Sequence, residues 1–393
     1  MNMRANDTAM AAANRAAPAL AWILGDGLHG KNIEQLVGGF AEQLVAAGIP
    51  VDRIVVSVRV LTATVIARSY AWRSDSGTAM YTYDWAERDQ GLYERSPFKA
   101  VHETRQWVDL RLAETPDEAF GIVPDMRAEG FTHYIAMPMD FANGALNVMA
   151  ISTRHTDGFS AEMMEVIRIL LPALTAAVEL RALDEIMREV LAIYVGAEPA
   201  KQILSGTVHR GEVHRISSAI MFVDMRDFTR RTQKMSADET AELLNRYYDC
   251  VVPHVQANGG SVLKFIGDGI LAIFPDGEDG AKASTRAALD AARASLASVP
   301  AACPTGKAPF EIGIALHHGT AAYGNVGSGE RLDFTVVGRD VNLTDRVGRL
   351  NKKLGIPLLL SDAFCRELDS PVASCGRHTV ASFDDVIEVF QPV

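Results

Sequence analysis

Phe222-Val223-Asp224-Met225-Arg226-Asp227-Phe228-Thr229 is the end of an apolar strand that runs into an acid, and Lys264-Phe265-Ile266-Gly267-Asp268-Gly269 is a second strand that turns on another. Upstream of the first, Ala219 to Val223 is apolar throughout, as a strand buried on both faces should be. Between the two stretches, Ser236 opens a helix expected to reach Gln256, and Glu239 three residues on completes a capping box. Gly259-Gly260 turns the chain. Ser261 to Ile266 and Ile270 to Phe274 then form a hairpin around Gly267-Asp268-Gly269, where the two glycines permit a tight tip. An Ala-rich helix is expected from Gly280 to Ser298, a strand from Phe310 to His317, and a helix beside the sheet from Val341 to Leu350. The order strand, helix, hairpin, helix, strand predicts an α/β sandwich with one acid at a strand end and one at a hairpin tip.

A third block follows: Asp333-Phe334-Thr335-Val336-Val337-Gly338-Arg339-Asp340-Val341-Asn342-Leu343-Thr344-Asp345-Arg346. Alone, Asp224 or Asp268 reads as a turn or cap residue, Lys264 as a surface lysine and Thr335 as a strand former. In order and spacing, however, the three blocks resemble the catalytic domain of class III nucleotidyl cyclases, over roughly residues 213–365. The resemblance implies a ferredoxin-like catalytic domain over 213–393, acting as an adenylate cyclase that converts ATP to 3′,5′-cyclic AMP and pyrophosphate. Asp224 and Asp268 would hold two ions, Mg²⁺ or Mn²⁺, in each site. Such hard cations take one or two protein carboxylates and fill the remaining positions with phosphate oxygens and water, and a pair of them can serve both the attacking and the departing oxygen. Phe228 and Thr229 would open a helix or turn whose backbone N–H groups face phosphate.

The same resemblance makes Lys264 and Thr335 the base-selecting pair. Lysine only donates, so it serves the N1 acceptor of adenine and not the N1–H of guanine. Most relatives place an aspartate where Thr335 stands; threonine marks a subgroup that includes bicarbonate-responsive cyclases. A hydroxyl can accept from the adenine amino group but can also donate, so discrimination should lean on Lys264. Asn342 and Arg346 are four residues apart and share a helix face. They would orient the ribose and meet charge developing on the α-phosphate, a task that suits a forked, permanently charged guanidinium. The competing reading pairs Arg346 with Asp345 or Asp340 on a solvated helix. In the family, the metal pair and the other four groups face each other across a dimer interface, so a complete set implies a homodimer with two equivalent sites. Guanylate cyclases usually carry an acid at the position of Lys264, and non-catalytic members usually lose a metal aspartate or the arginine.

Other polar residues are less telling. Arg226 and Asp227 read as a local surface ion pair. Relatives place a basic residue before the strand after this helix to hold the terminal phosphate, and here Lys352 and Lys353 come earlier, with neither preferred. His317-His318-Gly319 is expected to end a strand, and adjacent strand histidines face opposite ways, which argues against a shared metal. Gly324 to Gly329 reads as a turn with no Lys-Ser/Thr after it, hence no phosphate loop.

The chain has 393 residues, enough for two or three domains, and is 48% hydrophobic. A net charge of −11 with scattered Lys and Arg argues against nucleic acid as a partner. No apolar run approaches the roughly 20 residues of a membrane span; the nearest, Ile167 to Val178, reads as a buried helix. Four cysteines without ligand-like spacing suit isolated thiols in a reducing cytoplasm. Residues 1–18 are Ala-rich and expected as a loose leader. Residues 19–160 alternate helical and strand patterns: Asn32 to Ala47 is a helix, Arg53 to Ala67 a strand, and Phe131 to Met139 and Ala145 to Thr153 pair around Asn143-Gly144. With Gly158-Phe159-Ser160 leading into a helix, this region resembles a GAF-type sensor domain for a small-molecule or protein signal. Residues 161–212 are expected as a helical linker. Its apolar steps of three and four break once, between Val178 and Leu183. That spacing suits either a parallel helix pair across a dimer or a helix packed on its own domain.

Overall fold

The computed structural model describes residues 2–29, 32–60, 65–84, 91, 93–206, 209, 211, 213–303, 309–328, 332–380 and 386–393. The chain forms two compact units, Met1–Val190 and Leu191–Val393, both of mixed α/β structure.

In the N-terminal unit the helices are α1 (Asn2–Trp22), α2 (Ile33–Ala46), α3 (Pro97–Thr104), α4 (Val123–Ala128) and α5 (Ala161–Val195, which ends in the second unit). The strands β1 (Arg53–Arg59), β2 (Val65–Arg73), β3 (Gly77–Asp84), β4 (Val108–Arg111), β5 (His133–Asp140) and β6 (Leu146–Thr153) make one antiparallel sheet in the order β3-β2-β1-β6-β5-β4. Alternation along β5 and β6 fills two cores. Ile135, Met137, Met149 and Ile151 join the cluster with α1, α2 and α5, while Tyr134, Ala136, Val148 and Ala150 join the one with α3 and α4.

Two expectations change here. Residues 2–18, expected as a loose leader, belong to α1, and Ala12, Ala16 and Ala19 are buried along one stripe of it. Alanine is the strongest helix former, but its small side chains give a weak apolar signal. The first half of the expected linker is core: α5 buries Val166, Ile167, Leu170, Leu174, Val178 and Ala182 in its own unit. Beyond the phase break its apolar residues change character, and Leu183 and Met187 are exposed.

The second unit begins with α6 (Ala197–Leu204) and β7 (Val213–Met225), followed by α7 (Phe228–Thr232), α8 (Ala237–Asp249), α9 (Val252–Ala257), β8 (Ser261–Ile266) and β9 (Gly269–Pro275). Next come α10 (Gly280–Ser298), β10 (Ile312–Gly327), β11 (Leu332–Val337), α11 (Arg339–Leu354), β12 (Leu358–Ser361), α12 (Asp362–Glu367), β13 (Val372–Thr379) and β14 (Val386–Pro392). Strands run β13-β14-β12-β10-β7-β9-β8, with β11 paired to β10. The central β10-β7-β9-β8 order, with a helical connection before β8 and another before β10, is the ferredoxin-like arrangement. Odd-numbered β7 residues (Ala219, Met221, Val223, Met225) pack with α8, α9 and α10, whereas Ile220 lies on the face that Val341 of α11 covers. Asp224 continues that second, even-numbered row.

The expected Ser236–Gln256 helix is two helices. Ser236 and Glu239 do form the capping box, but the chain breaks at Cys250–Val251, and Pro253, which lacks an N–H, sits in the first turn of α9. The strand expected to end near His317 runs to Gly327: the Gly319 and Gly324 positions stay extended because β7 and β11 pair with them. Gly324 to Gly327 is therefore strand rather than turn, and Gly329 lies outside the described residues.

Candidate active site

Asp224 stands near the end of β7 and Asp268 at the β8–β9 tip. The tip is tight because Gly267 adopts φ +62°, and Gly269 lies so close to Phe222 that an added Cβ would come within 3.0 Å of its ring. Tyr248 braces the tip from α8, its hydroxyl donating to the Gly267 carbonyl at 2.8 Å and its ring packed on Phe265 at 4.4 Å. The result is two carboxylates on one cleft, near enough for Asp268 to disfavour the charge on Asp224. Asp224 remains open to a cleft, yet protein crowds its carboxyl. That burial, then the hydrogen bond and charge of Asp268, then the charge of Asp345, push its pKa up to about 7. The Tyr247 hydroxyl is buried behind the pair with no hydrogen-bond partner among the described residues.

Two oxygen donors that repel one another unless they share a proton form a set that a hard divalent cation would relieve. Among the described residues no cluster of three or more His, Cys, Asp or Glu forms a metal cage. The pair is thus suited to an ion that completes its shell with ligand oxygens and water.

The cleft has a volume of about 410 Å³ and is lined by both aspartates, by the turn from Met225 to Arg230, and by Gly348, Asn351 and Lys352 of α11, among others. Phe228 and Thr229 start α7 on its wall. Helix α11 can come this close because Gly348 leaves room for Phe222, and Gly313, paired with Asp224, leaves room for Asn351. The expected Arg226–Asp227 pair does not form. Asp227 adopts a left-handed φ of +57° and meets Lys352 Nζ at 2.5 Å, while Arg226 donates to the Ile356 carbonyl at 2.9 Å. Of the two lysines left open by the sequence, Lys352 lines the cleft and Lys353 does not.

The remaining predicted residues lie elsewhere on the domain; none of them lines this cleft. Lys264 and Thr335 come together from β8 and β11, Nζ to Oγ1 being 3.4 Å. A shift of register between Val262 and Lys264 re-aims the lysine, as bulges do. Lys264 also forms an ion pair with Asp333. Asn342 is exposed on α11, and one turn on, Arg346 Nη1 sits 3.3 Å from Asp345, which also holds Arg349 at 3.0 Å. The histidines find partners on opposite sides of β10. His317 meets Ser361 at 2.7 Å and Asp340 at 3.7 Å, and His318 meets Asp276 at 3.1 Å.

Against known families, residues 213–363 match the model described as adenylate and guanylate cyclase catalytic domain. This chain carries a class III cyclase catalytic domain. The cyclase domain has curated relatives. The adenylate cyclase of Anabaena cylindrica is 33% identical over 160 residues, which are 39% of this chain and 31% of that protein. Adenylate cyclase 1 of Rhizobium meliloti is 31% identical over 229 residues, 54% of this chain and 34% of that protein. The chain thus spans about a third of the length of these two relatives. Among solved structures, the adenylyl cyclase CyaB from P. aeruginosa aligns at 25% identity with a TM-score of 0.41, covering 46% of this chain and 96% of that one.

Sequence reasoning missed two partners in the cyclase domain. Asp333 precedes Thr335 by two residues on the same strand, and period-two counting places both on one face. Tyr248 carried no signal, because its contact with Gly267 depends on how α8 packs beneath the hairpin.

Proposed function

We propose that this chain is an adenylate cyclase that closes ATP to 3′,5′-cyclic AMP and releases pyrophosphate, at sites shared between two copies. Support comes chiefly from one observation: Asp224 and Asp268 meet at a strand end and hairpin tip on a cleft with room for a triphosphate. In this reading the two aspartates hold Mg²⁺ or Mn²⁺, which supplies positive charge to the phosphates and acidifies the ribose 3′-hydroxyl. The turn after β7, including Phe228 and Thr229, offers N–H groups to phosphate, and Lys352 swings from Asp227 to the terminal phosphate. Lys264 donates to adenine N1 beside Thr335, Asn342 orients the ribose, and Arg346 leaves Asp345 to meet charge growing on the α-phosphate. Because those four lie away from the cleft of their own chain, a second copy would bring them to it. The adenylate cyclase names of the relatives favour ATP, as does a lysine rather than an acid at position 264.

We place the chain in the cytoplasm and read its N-terminal unit, a six-stranded antiparallel sheet between helices, as a GAF-type sensor. No helix among the described residues is long and apolar enough to cross a membrane. The decisive assay incubates purified protein with Mg²⁺ or Mn²⁺ and either ATP or GTP, following pyrophosphate and the cyclic product. Cyclic AMP from ATP is expected. Cyclic GMP as the main product would make the chain a guanylate cyclase, and nucleotide binding without turnover would make it a binding module.

A further inference from the structure

The base-reading corner of this domain contains three side chains. Asp333 and Thr335 are alternate residues of β11, held in register by Val326 and Gly324 of β10. Lys264 enters from β8 past the register shift, and its ammonium touches both the Asp333 carboxylate and the Thr335 hydroxyl. Asp333 is 60% exposed and Lys264 35%. An ion pair this open to water contributes little to folding, so its value lies in what it presents. A carboxylate has about four acceptor sites, and one ammonium leaves most of them unused. The corner therefore offers a fixed donor next to a fixed acceptor. The adenine edge is the complement: an acceptor at N1 beside a donor at the six-amino group. Thr335, whose hydroxyl either gives or takes a hydrogen bond, cannot by itself tell an amino group from a carbonyl. A carboxylate can.

We propose that Asp333 is a specificity-determining residue of this cyclase, accepting a hydrogen bond from the six-amino group of adenine while holding Lys264 toward N1. The inference rests on the adenylate cyclase reading and deepens it: the acceptor missing at position 335 is supplied two residues earlier on the same strand face. Guanine presents a six-carbonyl there, which sets lone pair against lone pair.

The test compares three nucleotides (ATP, GTP and purine-riboside triphosphate, which lacks the six-amino group) in wild type, Asp333→Ala, Asp333→Asn and Thr335→Ala. Asp333→Ala should lower kcat/KM for ATP by about tenfold to a hundredfold, the range of a charge-assisted hydrogen bond. It should lower kcat/KM for the purine analogue, which keeps N1, by clearly less than for ATP, and the ATP-to-GTP preference should shrink. Asp333→Asn, whose amide can turn to donate to the six-carbonyl of guanine, should keep more ATP turnover than Asp333→Ala yet lose most of the preference over GTP, and Thr335→Ala should cost less than Asp333→Ala. Equal losses on ATP and the analogue would overturn the proposal, leaving Asp333 a positioning residue for Lys264. No loss on either would make it a surface ion pair. Equilibrium binding of ATP and the analogue to the same variants reads the contact independently of turnover. A wild type that binds but cyclises neither ATP nor GTP therefore removes the cyclase reading, while the binding comparison still decides Asp333.

Discussion

Asp224 carries the clearest physical signature in the domain, a carboxyl whose pKa is raised from 3.8 to about 7 by burial and by Asp268. The sign follows from linkage. A group that binds its proton more tightly when folded helps the fold at low pH, and that help is lost as pH rises through about 7. Without divalent cations, the wild type should therefore lose Tm between about pH 4 and 7 by more than Asp268→Ala does, since the variant has no pair to repel. Adding Mn²⁺ should raise the wild-type Tm and leave Asp224→Ala and Asp268→Ala unmoved, with turnover abolished in both. Substantial residual activity in either variant would remove the carboxylate pair from the mechanism. The second prediction concerns Lys264. Lys264→Glu should damage ATP use more than Thr335→Ala, by on the order of tenfold in kcat/KM, because charged hydrogen bonds outweigh neutral ones. It should also relax rejection of GTP, whose N1–H a carboxylate accepts. Equal ATP losses with an unchanged ATP-to-GTP ratio would mean that Lys264 does not read the base.

At the scale of elements, the turn after β7 and the end of α11 act together on the cleft. Asp227 holds Lys352 at 2.5 Å, and in the proposed reading the terminal phosphate takes the place of that acid. Lys352→Ala should raise KM for ATP about threefold to tenfold with little change in kcat, the modest effect expected of an exposed lysine. Lys353→Ala should leave both constants alone, and matching effects from the two would place the phosphate contact elsewhere. Elements also show which parts were legible in sequence. The apolar run into Asp224, the Gly-Asp-Gly tip and the Ser236 cap are local signals, and the structure forms a strand, a tip and a capping box there. What escaped depends on distant partners. Glycines keep β10 extended only because β7 and β11 flank it, and an alanine helix hides its buried stripe behind small side chains. Lys264 meets Asp333 only through a slip of register that no count of residues foretells.

On the scale of the whole molecule, the candidate groups fall into two sets: the aspartate pair with its cleft, and the four residues that lie off it. An Asp268→Ala chain mixed with an Arg346→Ala chain should recover activity, because one hybrid site then has every group intact. Absence of recovery after proven subunit exchange would mean that each chain builds its own site. The division has a consequence for dosage. In the proposed dimer a chain holds half of each of two sites and so would report its own abundance: below the dissociation constant of the pair, product formed per chain should fall in proportion to dilution, so that output varies as the square of expression. A defective copy would not simply be silent. Produced alongside the normal one, it would draw normal chains into pairs with a single working site, and the two variants above, each inert alone, would behave as complementing alleles of one gene.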